Sequence, residues 1–165
     1  MYLGYIWLYR DSIEKAFLWP DQAQLKAAVT EFLPCADILK LSDEELFFIT
    51  GKEHIEDAVE ELFAMGISVI LYTKGSQGAE VYTRTAHVAV SGTGKKAVDT
   101  TGAGDIFHGA FTYCIHKSYP LQDALIIASA TSAISVQTLG GQTSIPTKAA
   151  VNRFLNEQCC HLILK

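Results

Sequence analysis

Apolar residues change their spacing from segment to segment along this chain, and the spacing predicts the elements. Residues 67–73, Ile-Ser-Val-Ile-Leu-Tyr-Thr, are nearly continuous in apolar and β-branched side chains, as in a strand buried on both faces of a parallel sheet. The runs at 36–41 and 1–9 also read as strands. Between 55 and 65, Ile55, Ala58, Val59, Leu62 and Phe63 recur at helical spacing and mark one face of a helix. Pro20 is placed to open another helix through about residue 33, with Ala23, Ala27, Ala28 and Phe32 as its apolar positions. Ser42 followed by Glu45 predicts a capping box at the start of a third helix, and Gly51 and Gly66 stand where helices should stop.

Further along, 79–83 and 87–90 read as a hairpin and 97–98 as a short strand. Helices are expected at about 103–116, at about 121–138 and from near 147. The second of these is so rich in Ala, Ser and Thr that it can approach a neighbour closely. Strands alternating with helices give an α/β fold with a largely parallel sheet. There is no internal repeat, low-complexity tract or second-domain boundary.

Composition narrows the function classes. With 165 residues, 49 % of them hydrophobic and 19 % charged, the chain is one globular domain or a large piece of one. A net charge of -5, with scattered lysines and arginines, argues against a nucleic-acid partner. Cys35, Cys114, Cys159 and Cys160 have neither metal-site spacing nor a dense disulfide pattern, so reduced thiols in a cytoplasmic protein are expected. The apolar opening is too short to span a bilayer and lacks the features of a signal peptide, so no membrane partner is expected.

The stretch Asp99-Thr100-Thr101-Gly102-Ala103-Gly104-Asp105 carries the chemistry. Its glycines allow close backbone approach to a ligand, and the helix that follows points free N–H groups back at it, which suits an anion. Asp105 reads either as a capping group or as a base for proton abstraction. The loop Thr73-Lys74-Gly75-Ser76-Gln77-Gly78 lies at a strand's carboxyl end, where open α/β sheets place ligands. Neither G-x-x-x-x-G-K-[ST] nor G-x-G-x-x-G is present, so a nucleotide must be held in another way.

Asp99 to Asp105, with Phe107 and Gly109 after it, resembles the C-terminal signature of the ribokinase-like (PfkB) carbohydrate kinases. In order around it, Leu39-Lys40-Leu41-Ser42-Asp43-Glu44-Glu45 resembles their segment near magnesium and phosphate. Residues 73–78 resemble their T-x-G-x-x-G loop, and 128–146 their adenine-flanking helix and loop. Ser42 stands where many relatives carry Asn, and the form Lys-Leu-Ser-Asp-Glu-Glu points to the fructokinase-like branch. The implied fold is a ribokinase-like three-layer α/β/α sandwich with a mostly parallel sheet, incomplete here. Residues 1–165 would be the C-terminal nucleotide-binding and catalytic half, without the N-terminal substrate half and lid.

The resemblance also implies roles. Asp105 would be the general base toward a sugar hydroxyl, and the amides of Gly102, Ala103 and Gly104 an anion hole for the moving phosphoryl group. Ser42, Thr73, Gly75, Gly78 and Ser129 would bind ATP. Glu45 would act near Mg2+ through water, and Asp99 and Thr101 would hold a monovalent cation such as K+. Plainer readings stand beside these: Glu45 as a helix cap, 73–78 as a hairpin turn, Ser129, His108 and His116 as packing or surface residues, and Lys74, Lys95 and Lys96 as a solvated loop. The expected activity is ATP-dependent phosphorylation of a small sugar, with a nucleoside kinase or a noncatalytic nucleotide-binding module as alternatives. The 165-residue piece by itself is expected to be nearly inactive and to self-associate through exposed sheet edge and apolar surface.

Overall fold

The computed structural model describes residues 21–158, residues 162–164 and the backbone of Tyr5–Trp7. Pro20, Cys159, Cys160 and the remainder of the opening run lie outside the described residues. Contacts group the chain into two units, Met1–Lys74 with Glu80–His87 and Gly75–Ala79 with Val88–Lys165. The strands form one sheet in the order β1 (Tyr5–Trp7), β2 (Ile38–Ser42), β3 (Val69–Thr73), β4 (Gly78–Thr83) and β5 (His87–Ser91). β1, β2 and β3 are parallel, in a register that sets Ile6 beside Leu39 and Leu39 beside Ile70.

In the first unit β2 and β3 are buried on both sides, which is why these strands are largely apolar without alternation. Leu39, Leu41, Ile70 and Tyr72 join a core with Leu33, Leu46, Ile49, Ala58 and Leu62, while Ile38 and Leu71, of opposite pleat parity, are buried as well. Helix α1 (Gln22–Phe32) starts at Asp21, whose carboxylate accepts the Gln24 N–H at 2.7 Å. Its buried face differs from the expected one: Leu25 and Val29 face the core, followed by Leu33, whereas Ala23 and Ala27 are exposed and Phe32 is 59 % exposed. The alanines and the branched residues trace two stripes on this helix, and the larger side chains claim the core because they bury more apolar area.

Helix α2 (Asp43–Thr50) begins with the expected capping box at Ser42 and ends at Gly51, whose φ of 68° is the left-handed cap that glycine adopts without steric cost. Helix α3 (Ile55–Ala64) buries Ala58, Val59 and Leu62, the face that the spacing predicts. β4 and β5 are joined by only three residues, 84–86, so they run antiparallel, and Thr83 N–H donates to Ala86 O at 2.8 Å.

The second unit is built on helices α4 (Ala103–His116), α5 (Leu121–Ser135) and α6 (Lys148–Glu157). Ala124, Ala128 and Ala130 of α5 are buried, and the Ser132 hydroxyl donates to Ala103 O of α4 at 3.1 Å, a contact that only small side chains permit. α5 ends at Ser135 rather than near 138. Residues 97–98 form no strand; Val98 is 62 % exposed, and the N–H groups of Val98 and Asp99 both donate to Val136 O, at 2.7 and 3.1 Å. The segment is a loop pinned to the end of α5. Cys114 is buried and Cys35 exposed, both as free thiols, and no helix among the described residues is long and apolar enough to cross a membrane.

Four residues of the first unit form a polar cluster. One Glu80 oxygen accepts from the Lys74 ammonium, and the other accepts from the Tyr82 hydroxyl and lies 2.8 Å from His87 Nε2, whose ring stacks on Tyr82. Partial burial would raise the Glu80 pKa, but the hydrogen bonds from Lys74, Tyr82 and His87 outweigh it and bring the value down to about 2. A carboxylate whose folded pKa is depressed contributes stability above its unfolded pKa and loses it as pH falls through the folded one. Glu80→Gln is therefore expected to flatten the acid limb of the stability curve between pH 4.5 and about 2, read by denaturant titration at stepped pH. The α1 face gives a second test. Leu25→Ala should cost about 2–4 kcal/mol by denaturant unfolding, while Phe32→Ala should stay within about 0.5 kcal/mol.

Candidate functional site

In the first unit, the Glu45 carboxylate is almost wholly buried. Its Oε2 accepts the Ser42 N–H at 2.7 Å, and the Ser42 hydroxyl accepts the Glu45 N–H at 3.3 Å. Lys40 Nζ, also buried, lies 3.7 Å from the same Oε2. Oε1 is buried and has no hydrogen-bond partner. Capping therefore occupies one oxygen and leaves the other unsatisfied. The two readings of Glu45, helix cap and group near a metal, are compatible, because they call on different oxygens.

At the end of β3, the Thr73 hydroxyl donates to Leu41 O at 3.2 Å, which ties β3 to β2 where the loop begins. Lys74 is not a solvated loop residue: its ammonium is held by Glu80 and lies 5.9 Å from the centre of the Tyr72 ring. Ser42 and Thr73 are direct neighbours in the β2–β3 register, so two of the residues singled out in sequence stand side by side at the carboxyl ends of adjacent strands.

In the second unit, Gly75 and Gly78 have φ of 54° and 117°, and between them runs a short 3-10 turn. A Cβ on Gly78 would fall 2.1 Å from Val90 O, and one on Gly92 would fall 1.8 Å from Ser76 O. Gly92 N–H donates to Gln77 O at 3.0 Å. The backbone of this turn thus lies directly on that of 90–92, and only glycine fits at Gly78 and Gly92.

Asp99 bridges two loops of the same unit. Its Oδ1 accepts the Thr101 N–H at 2.9 Å and its Oδ2 the Gly140 N–H at 2.8 Å. The Gly140 amide and then the Thr101 groups hold its carboxyl below the usual aspartate range. Gly102, at φ 73°, is the N-cap of α4 and supplies no capping side chain. The Ala103 N–H donates to Thr100 O at 3.1 Å, so this amide of the three expected at the anion hole is engaged within the chain. Asp105 lies in the first turn of α4, exposed, with Oδ2 3.8 Å from where a Gly102 Cβ would stand. Its carboxylate thus folds back over the glycine that starts the helix. Further along the helices, Ser129 Oγ is buried without a hydrogen-bond partner, His108 is buried in α4 and His116 is exposed at its end. Lys95 lies 5.5 Å from the Phe154 ring.

Two residues of this architecture escaped sequence reasoning. Lys40 was submerged in an apolar strand, although a single charged residue inside such a run is itself a signal. Gly92 follows β5 directly and belongs to none of the motifs that the sequence singles out. Among the described residues no cluster of three or more His, Cys, Asp or Glu could hold a metal ion. A divalent ion here would need oxygens beyond the protein's own carboxylates, as Mg2+ obtains from phosphates and water.

Residues 12–148 match the pattern of the pfkB family carbohydrate kinases. The chain is 36 % identical to fructokinase-1 of Zea mays over 148 residues, which are 85 % of this chain and 46 % of the relative. Among solved structures, a fructokinase of Vibrio cholerae O395 bound to fructose, ADP and calcium ion superposes with a TM-score of 0.78 at 33 % identity, covering 86 % of this chain and 48 % of that one. A double mutant of the same enzyme with fructose, ADP and potassium ion gives 0.77 at 33 % identity, over 84 % and 46 %. The chain spans about half the length of the relatives it matches. These likenesses bear out the α/β fold with helices around a partly parallel sheet, and with 12–148 matched the chain belongs to the pfkB family of carbohydrate kinases.

Proposed function

We propose that the chain is the nucleotide-binding and catalytic-base half of an ATP-dependent sugar kinase of fructokinase type, acting in the cytoplasm. The observation that carries this reading is the start of α4, where a left-handed glycine with no capping side chain precedes the first-turn carboxylate of Asp105. Helix amides without intrahelical partners, and the positive end of the helix dipole, suit a phosphoryl group. A carboxylate one turn inside suits the base that takes a hydroxyl proton as that group arrives.

In this reading Asp105 accepts the proton of the sugar hydroxyl. The Gly102 and Gly104 amides stabilise the transferring charge, with Ala103 shaping the turn through its bond to Thr100. Ser42, Thr73, Gly75, Gly78 and Ser129 are assigned to nucleotide binding. The buried hydroxyl of Ser129, which lacks a partner, supports its assignment. The unpartnered Oε1 of Glu45 fits a water-mediated role toward Mg2+, which supplies charge neutralisation on the nucleotide phosphates when bound. Asp99 and Thr101 are the residues assigned to K+. Support comes from the ionised Asp99 oxygens and from the potassium ion in one relative. Sugar selection is assigned to sequence that the matched half of the relatives does not include, so this piece by itself is expected to bind nucleotide with little turnover.

Calorimetry with ATP and Mg2+ beside a coupled sugar-kinase assay tests the assignment. Asp105→Asn should leave nucleotide affinity within about twofold and, in any form of the protein that phosphorylates a sugar, cut turnover by about 10²- to 10⁴-fold. Turnover retained in Asp105→Asn overturns the role of the base.

A further inference from the structure

Lys40 and Glu45 form an ion pair in which both side chains are buried, 7 % and 1 % exposed, with Nζ 3.7 Å from Oε2. Moving two opposite charges out of water costs more than their attraction returns unless the remaining lone pairs are also satisfied. Here they are not, since Oε1 has no partner. Helix capping does not explain the lysine, because Ser42 and Glu45 complete the box between themselves. Nor does sheet packing, because Lys40 pairs in register with Leu71 and sits between Leu39 and Leu41, where an apolar residue would be cheaper. A buried carboxylate oxygen left in this state calls for a polar partner, and a water with its own further partners is the ordinary one.

We propose that Lys40 is a positioning residue for the metal-bound nucleotide. The Lys40 ammonium and the Ser42 amide converge on Oε2 and fix the plane of the Glu45 carboxylate. Oε1 is then the oxygen presented to a water of the hydrated Mg2+ that accompanies ATP, an ion that keeps much of its water shell in protein sites. Lys40 acts through Glu45 and makes no contact of its own with the phosphates. This rests on the nucleotide-binding reading above.

The test is calorimetry of ATP binding to the 165-residue chain, in Mg2+ and again in EDTA, with thermal unfolding recorded for each variant. Absence of ATP binding by the wild-type chain in both media overturns the nucleotide reading itself. ATP binding with no Mg2+-dependent gain overturns the present proposal alone. Lys40→Met is expected to lose about tenfold of the Mg2+-dependent gain, the scale on which groups that orient a metal's ligands act. Its affinity in EDTA should stay within about twofold of wild type, and Lys40→Arg, which keeps the charge, should recover most of the gain. Glu45→Gln should show the same loss, and adding Lys40→Met to it should cost nothing further. An unchanged Mg2+-dependent gain in Lys40→Met, or equal weakening in EDTA, overturns the proposal, the latter because it means that the lysine meets the phosphates directly. If Lys40→Met does not fold, the double variant, with no buried charge left unpaired, decides by comparison with Glu45→Gln: equal gains support the proposal and a further loss overturns it.

Discussion

The carboxylate of Asp99 fixes the geometry on which the second unit depends. One of its oxygens takes the Thr101 amide and the other the Gly140 amide, so the turn into α4 and the loop after α5 are held to each other by a single side chain. The same loop is pinned from behind by Val136 O, which accepts both the Val98 and the Asp99 N–H. The chain enters α4 through a left-handed residue, Gly102 at φ 73°, and a Cβ there would come within 3.3 Å of Gly141 Cα. Glycine at 102 follows from both facts. Asp99 is ionised well below neutral pH, so the constraint persists across the physiological range.

What the sequence disclosed was local, and the reason is physical. The capping box at Ser42 and Glu45, the stop at Gly51 and the bounds of α4 each depend on residues within a turn of one another, so their signals stand complete in a short stretch. The misread face of α1 shows the limit of this. Its alanines and its branched residues both fit a helical repeat, and only packing against β2 and β3 side chains such as Leu39 and Ile70 selects Leu25 and Val29. Residues 97–98 failed for a similar reason: two β-formers do not make a strand without a neighbour, and their amides turn to the end of α5 instead.

The candidate site divides along the same line. Asp99, Gly102 and Asp105 were legible because one motif holds them, and Gly75 and Gly78 because a turn with positive φ asks for glycine. Lys40, Gly92 and the partners of Lys74 were not legible. Lys40 meets Glu45 only after the strand has turned into α2. Gly92 is required by an oxygen sixteen residues back in the chain, that of Ser76. Lys74 is claimed by Glu80, whose other oxygen is held by Tyr82 and His87, an arrangement that no local pattern reveals.

This division bears on how the site's polar groups are shared between holding the fold and meeting a ligand. The Thr73 hydroxyl, the Ala103 amide, both Asp99 oxygens and the Lys74 ammonium all have partners inside the chain. Groups so engaged fix the backbone around them. Among the described residues the buried side-chain polar atoms without a partner are Glu45 Oε1 in the first unit and Thr112 Oγ1 and Ser129 Oγ in the second. A buried polar atom left without any partner costs about 1–3 kcal/mol, and an ordered water is the ordinary partner of such an atom. The motif residues are thus spent largely on holding their own backbone, and the unsatisfied atoms mark the polar groups for which the fold supplies no partner of its own.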